Sequence, residues 1–148
     1  MSCQWRLMVF AAGLALACVA HADLKQALAE PNLEKRSQLA LNNATAAYKA
    51  ARAAYEKGET DQVEAGISEI QESVELAFTS LTQTGKDPRR SPKWFKKAEM
   101  DTRELLRRLE AFEHDMGFSD RPMLEKVKAK VAQVHDDLLV GLMEGKRK

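Results

Sequence analysis

Two histidines stand beside acidic residues in this chain, and such neighbours could ligate a metal or move a proton. They are His114, between Glu113 and Asp115, and His135, followed by Asp136 and Asp137. Helical bundles that hold carboxylate-bridged metals use Glu-x-x-His on inward faces, but Ala111 and Ala132 occupy the positions three before each His. In a hairpin of the last two helical stretches, His114 falls opposite about Met123. His135 is then roughly 18 Å further along at 1.5 Å per residue, so the two imidazoles cannot share an ion within a monomer. Each cluster flanks an apolar stripe and reads as an exposed polar face, with weak surface coordination as the alternative. Covalent haem would need Cys-x-x-Cys-His, which is absent, and the first long helical stretch offers no Met or His as an axial ligand. Ser68 and Ser73 have no motif that would supply an oriented base, and no Gly-rich phosphate loop occurs. The sequence therefore points to a protein that is not an enzyme, with no catalytic residue, no metal site and no cofactor.

A different chemistry is offered by Gly85 to Glu99, "GKDPRRSPKWFKKAE", where six basic residues and one Asp surround Trp94 and Phe95. Gly85 and Pro88 stop one helix, and Ser91-Pro92 starts the next, with Ser91 as N-cap and Pro at the first helical position. Lys93, Lys96 and Lys97 then crowd the positive end of the helix dipole, where each cation is disfavoured by a few tenths of a kcal/mol. Two readings stand. In one, these cations meet carboxylates such as Glu72 and Glu75, while Trp94 and Phe95 plug the end of the fold. In the other, Arg89, Arg90, Lys93, Trp94, Lys96 and Lys97 bind an anion, an acidic partner or a lipid headgroup.

The elements that position these residues are helical throughout. Gly and Pro divide the chain after Asn32 into four stretches of period 3.6. The first, Leu33 to Lys57, is Ala-rich, is capped by Asn32, and turns Leu41, Ala44, Tyr48, Ala51 and Tyr55 inward. The second, Asp61 to Thr84, does so with Val63, Ile67, Ile70, Val74, Phe78 and Leu81. Between them "KGETD" is too short for anything but a hairpin, with Gly58 taking the left-handed conformation and Thr60 capping the next helix. The third, Pro92 to Met116, buries Phe95, Ala98, Thr102, Leu105, Leu109, Phe112 and Met116, and the fourth, Pro122 to Glu144, buries Leu124, Val127, Val131, Val134 and Leu138. The expected fold is all-α, an antiparallel four-helix bundle built from two helical hairpins. Asp23 to Glu30 adds a short helical lead-in.

The N-terminus carries Arg6, an uncharged run from Leu7 to Ala20, and Ala20-His21-Ala22, the layout of a secretory signal peptide cleaved after Ala22. The run is shorter than the roughly 20 residues that span a bilayer. "LALAC" also resembles a bacterial lipobox, which implies an alternative mature form acylated at Cys18. The expected organisation is a signal peptide, 1–22, and one helical domain, 23–148, exported to the bacterial periplasm or secreted. Both cysteines, Cys3 and Cys18, fall before residue 23, so the mature chain would rely on its apolar core. From Asp23 to Gly85 there are 6 basic and 10 acidic residues, and from Lys86 to Lys148 there are 16 and 12. The overall balance and export argue against nucleic acid as a partner.

The segment "AAYKAARAAYEKGETDQVEAGI", Ala46 to Ile67, resembles the turn of a tetratricopeptide repeat through Ala51, Tyr55 and Gly58. Val63 and Ile70 replace the repeat's small residues, no Pro stands near Glu75, and no second copy follows. That resemblance implies a helical scaffold for partner proteins or peptides. The whole chain is similar to small exported helical proteins of bacteria. The functional expectation is a non-enzymatic, exported helical binding or scaffold module of the bacterial envelope, with a protein, an envelope component or an anionic membrane surface as partner. Two alternatives remain at this point: a periplasmic chaperone-like protein, and a small-ligand or metal-binding helical bundle.

Overall fold

A computed structural model describes residues 24–145. The expected signal peptide, the lipobox-like Cys18 and the basic tail Lys146 to Lys148 lie outside them.

Five helices follow in order: α1 (Leu24–Ala29), α2 (Leu33–Glu56), α3 (Thr60–Gln83), α4 (Pro92–Asp115) and α5 (Pro122–Glu144). The four long helices match the four periodic stretches to within a residue or so at each end, and α1 is the lead-in. None of the described helices is long and apolar enough to cross a membrane. Helix α2 starts as the sequence predicts, with the Asn32 side chain accepting the Lys35 N–H at 2.9 Å. Two other expected caps do not form. Thr60 is already the first helical residue of α3, and Glu59 before it makes no side-chain cap bond. Ser91, at ψ 63°, is not extended as a capping residue must be, because its N–H closes the preceding turn onto the Asp87 carbonyl at 2.9 Å. Helix α4 therefore relies on Pro92, whose missing N–H leaves one fewer donor to satisfy.

Helices α2 and α3 form one hairpin and α4 and α5 another. Gly58, at φ +72°, supplies the left-handed residue that ends α2. Across the hairpins, α2 lies along α4 and α3 along α5, whereas α3 and α4, consecutive in sequence, touch little. The register between α2 and α4 is constant: Gln38 bonds Asp101, Arg52 bonds Asp115, and Tyr55 bonds Gly117, at separations of 63, 63 and 62 residues. A constant separation means that α2 and α4 run parallel, and so do their partners α3 and α5. Helices are thus antiparallel within each hairpin and parallel between hairpins. The connector from α3 to α4, residues 84–91, must therefore cross one end of the fold.

The two hairpins pack differently. In the first, α2 buries Ala40, Ala44, Ala47, Ala51 and Ala54. These face Gly66, Ser73, Ala77 and Ser80, which are also buried on α3. A Cβ on Gly66 would lie 2.8 Å from that of Ala51, so the backbones approach as closely as side chains allow. Asn43, buried at this seam, donates to Ser73 Oγ at 2.9 Å and Glu69 Oε1 at 3.0 Å. Between hairpins the contact is aromatic. Phe112 is met edge-on by Tyr55 and Tyr48, at centroid distances of 5.6 and 6.1 Å, with the Arg52 guanidinium above its ring.

Candidate functional site

The cation-rich stretch forms the connector and the first turns of α4. Asp87 builds the turn: its carboxylate accepts the Arg89 N–H at 2.8 Å, and its carbonyl accepts from Arg90 and Ser91 at 3.1 and 2.9 Å. Pro88 is buried against Gly141 of α5, where an added Cβ would come within 3.3 Å of the Pro88 ring. With the proline held inward, Arg89 and Arg90 are left exposed.

The six predicted site residues share one end of the molecule but not one environment. Phe95 is buried in the core, and Trp94 packs half-buried against it, as expected for a plug. Lys93 Nζ lies 5.2 Å from the centroid of the Trp94 ring. Lys97 pairs with Asp101 at 3.2 Å, and the neighbouring Lys86 pairs with Glu34 at 2.8 Å. The expected pairing with Glu72 and Glu75 does not occur: Glu75 takes Lys130 at 3.5 Å, and Glu72 accepts from Ser68. The diagonal connector explains this, because it carries the cations past α5 to α4, away from the acidic face of α3. Among the described residues no carboxylate stands within ion-pair distance of Arg89, Arg90 or Lys96, and all three are exposed.

Beside this cluster is a pocket of about 480 Å³. Its walls are Phe78 and Thr82 of α3, Phe95 of α4, Leu138, Val140 and Gly141 of α5, and Pro88 of the connector. Lys86, Asp137 and Gly145 complete the lining. Arg89 lies at Gly145, where an added Cβ would be 3.0 Å from the Arg89 Cδ. Its lining residues Lys86, Pro88 and Gly145 put the pocket at the same end of the molecule as the exposed arginines.

Of the two histidine clusters, one is the exposed polar face expected and the other is not. His114 is exposed, but His135 is turned inward, its side chain only 16% accessible. Its Nε2 donates to Glu99 Oε1 at 3.0 Å, and Nδ1 lies 3.1 Å from Asp136 Oδ1. The same Glu99 oxygen accepts two bonds from Arg103, at 3.0 and 2.5 Å. Burial alone would push the Glu99 carboxyl up, but the bonds from Arg103 and His135 outweigh it and hold it below its usual value. Glu99 was not singled out in the sequence. It sits among the inward residues Phe95, Ala98 and Thr102, and it and His135 are equally far from Gly117 at the turn, which is the signal that could have found the pair. Among the described residues, no three His, Cys, Asp or Glu side chains come together as a metal site needs.

Compared with known protein families, with curated proteins and with solved structures, the chain gives no match.

Proposed function

We propose that this chain is an exported, non-enzymatic helical binding module of the bacterial envelope, a four-helix bundle that docks through its basic end onto an acidic partner. The signal-peptide layout of residues 1–22 supports export. The observation that carries the docking site is the set of cations without partners: Arg89, Arg90 and Lys96 are exposed and unmatched among the described residues. Lys93 and Lys97 extend the patch, and Trp94 gives it an apolar border. Each such cation near an anionic surface is worth about 1 kcal/mol. Attraction of this kind weakens as salt rises.

The test uses the chain from Asp23 onward and vesicles of equal parts phosphatidylglycerol and phosphatidylcholine, with pure phosphatidylcholine as control. The expected result is salt-sensitive binding to the anionic vesicles only. Replacing Arg89, Arg90, Lys93, Lys96 and Lys97 together by Gln should weaken it by about tenfold or more. Unchanged binding by that variant overturns the docking site.

A further inference from the structure

The pocket of about 480 Å³ falls in the range of small-molecule sites, with Phe78, Phe95, Leu138, Val140 and Pro88 as apolar walls. Its charge is set by the two helices that frame it. Lower down, Lys130 of α5 meets Glu75 of α3 at 3.5 Å. Because these helices run parallel, seven residues further along each brings Asp137 level with Thr82, and both line the pocket. Thr82 offers no charge, and its hydroxyl donates to the Phe78 carbonyl at 2.8 Å. Among the described residues no cation stands within ion-pair distance of Asp137. The other charged lining residue, Lys86, is engaged by Glu34 at 2.8 Å. Helices α3 and α5 also both end here, and neither has a basic residue in its last turn, so the negative ends of two helix dipoles are left without a cation of their own. Against this stand the start of α4, which reaches the pocket through Phe95 alone, and Arg89, which lies at Gly145 together with the Asp87 carboxylate.

We propose that this pocket binds a small organic cation with an apolar body, an alkylammonium, with Asp137 as its counter-ion. The apolar body lies between α3 and α5 under the Pro88 connector, and the ammonium stays at the rim, near Asp137 and the two helix C-termini. Gly141 is part of this arrangement because it lets Pro88 close one wall. The site uses none of Arg89, Arg90, Lys93, Lys96 and Lys97, so it goes beyond the docking reading of the basic end and either can fail alone.

The experiment titrates the chain from Asp23 onward with decyltrimethylammonium below its micellar threshold, by calorimetry and by the amide chemical shifts of Thr82, Leu138 and Gly141. Decanoate, with the opposite charge on a similar chain, and tetramethylammonium, the head without the chain, are the comparison ligands. The expected result is one decyltrimethylammonium per protein chain, decanoate weaker by about tenfold, and no binding of tetramethylammonium. Asp137→Asn changes an exposed side chain and should weaken decyltrimethylammonium by about fivefold, the effect of one exposed ion pair. Thr82→Phe fills the pocket from an exposed wall position and should abolish binding. Neither substitution should change the helical circular dichroism.

Absence of decyltrimethylammonium binding, equal affinity for decanoate, or undiminished binding by Asp137→Asn or by Thr82→Phe would each overturn the proposal. Vesicle binding separates this site from the basic end. Asp137→Asn should keep it, whereas the five-Gln variant should lose it and still bind decyltrimethylammonium.

Discussion

Glu99 of α4 and His135 of α5 meet at 3.0 Å inside the second hairpin, with Arg103 closing on the same carboxylate oxygen from the solvent side. The Glu99 side chain is 6% accessible, so a charge has been taken into an apolar interface and given three hydrogen bonds there. Such a group couples the fold to pH. The groups that face it are Arg103 from its own helix and His135 from α5, with Asp136 on the far side of the imidazole. Because its folded pKa lies below the ordinary 4.5, the unfolded chain takes up the proton first as pH falls. The contribution of Glu99 is thus full above that value and is lost as pH drops through the lower folded one. Glu99→Gln should flatten the acid limb of a plot of urea-unfolding free energy against pH. An acid limb identical to that of the parent would show that Glu99 is not coupled to folding.

The same pair predicts non-additive stability. Removing His135 alone leaves a buried carboxylate with Arg103 but one hydrogen bond fewer, and a buried acceptor deprived of a partner costs about 1–3 kcal/mol. Replacing both groups by apolar residues of similar size leaves no charge to compensate. His135→Leu should therefore lower stability, and adding Glu99→Met should recover most of the loss. Additive effects in a double-mutant cycle would mean the two side chains act independently.

The contrast between Glu99 and the rest of α4 shows what the sequence could convey. Period 3.6 located every inward residue named for α4 and α5, because Phe95, Leu105, Leu109, Val127 and Val131 can lower their free energy only by facing the core. Reading His135 as a surface residue failed because its partner lies 36 residues away and a charged residue in an apolar stripe carries no sign of its own. The pocket was illegible for a related reason. It exists because the connector crosses from α3 to α4 past α5, and that crossing depends on α2 lying along α4, which no single helix encodes.

Tyr55 ties the two turns of the opposite end together. Its hydroxyl donates to Asp120 Oδ2 at 2.9 Å and accepts the Gly117 N–H at 2.9 Å, while its ring packs on Phe112. Tyr55→Phe keeps the ring and removes both bonds, which should cost about 0.5–1.5 kcal/mol for each, since Asp120 is part-buried and Gly117 is exposed to water. Amide exchange at Gly117 should speed up in parallel. Exchange unchanged there would mean the turn is held by other contacts.

Close approach of α2 and α3 depends on Gly66. In an ordinary helix, Gly→Ala stabilises by about 1 kcal/mol. Here the added methyl would lie 2.8 Å from Ala51 Cβ and 3.3 Å from the Ala47 carbonyl oxygen, one of them backbone. Forcing the helices apart costs about 1–3 kcal/mol, so Gly66→Ala should lower the melting temperature. A rise would show that the seam relaxes freely.

The unmatched cations permit a test that separates a binding role from a structural one. Arg90 precedes the N-terminus of α4 and Lys96 lies just beyond its first turn, so both feel the positive end of the helix dipole and neither has a carboxylate to offset it. If they served the fold, neutralising them would weaken it. Their placement predicts the reverse: Arg90→Gln with Lys96→Gln should leave stability unchanged or raise it by about a few tenths of a kcal/mol. The same variant should bind anionic vesicles more weakly. A loss of more than about 1 kcal/mol would exceed the usual effect of surface substitutions and assign these side chains to the fold instead. Stability retained with binding diminished is the pattern expected of residues held at an energetic disadvantage for the sake of a partner.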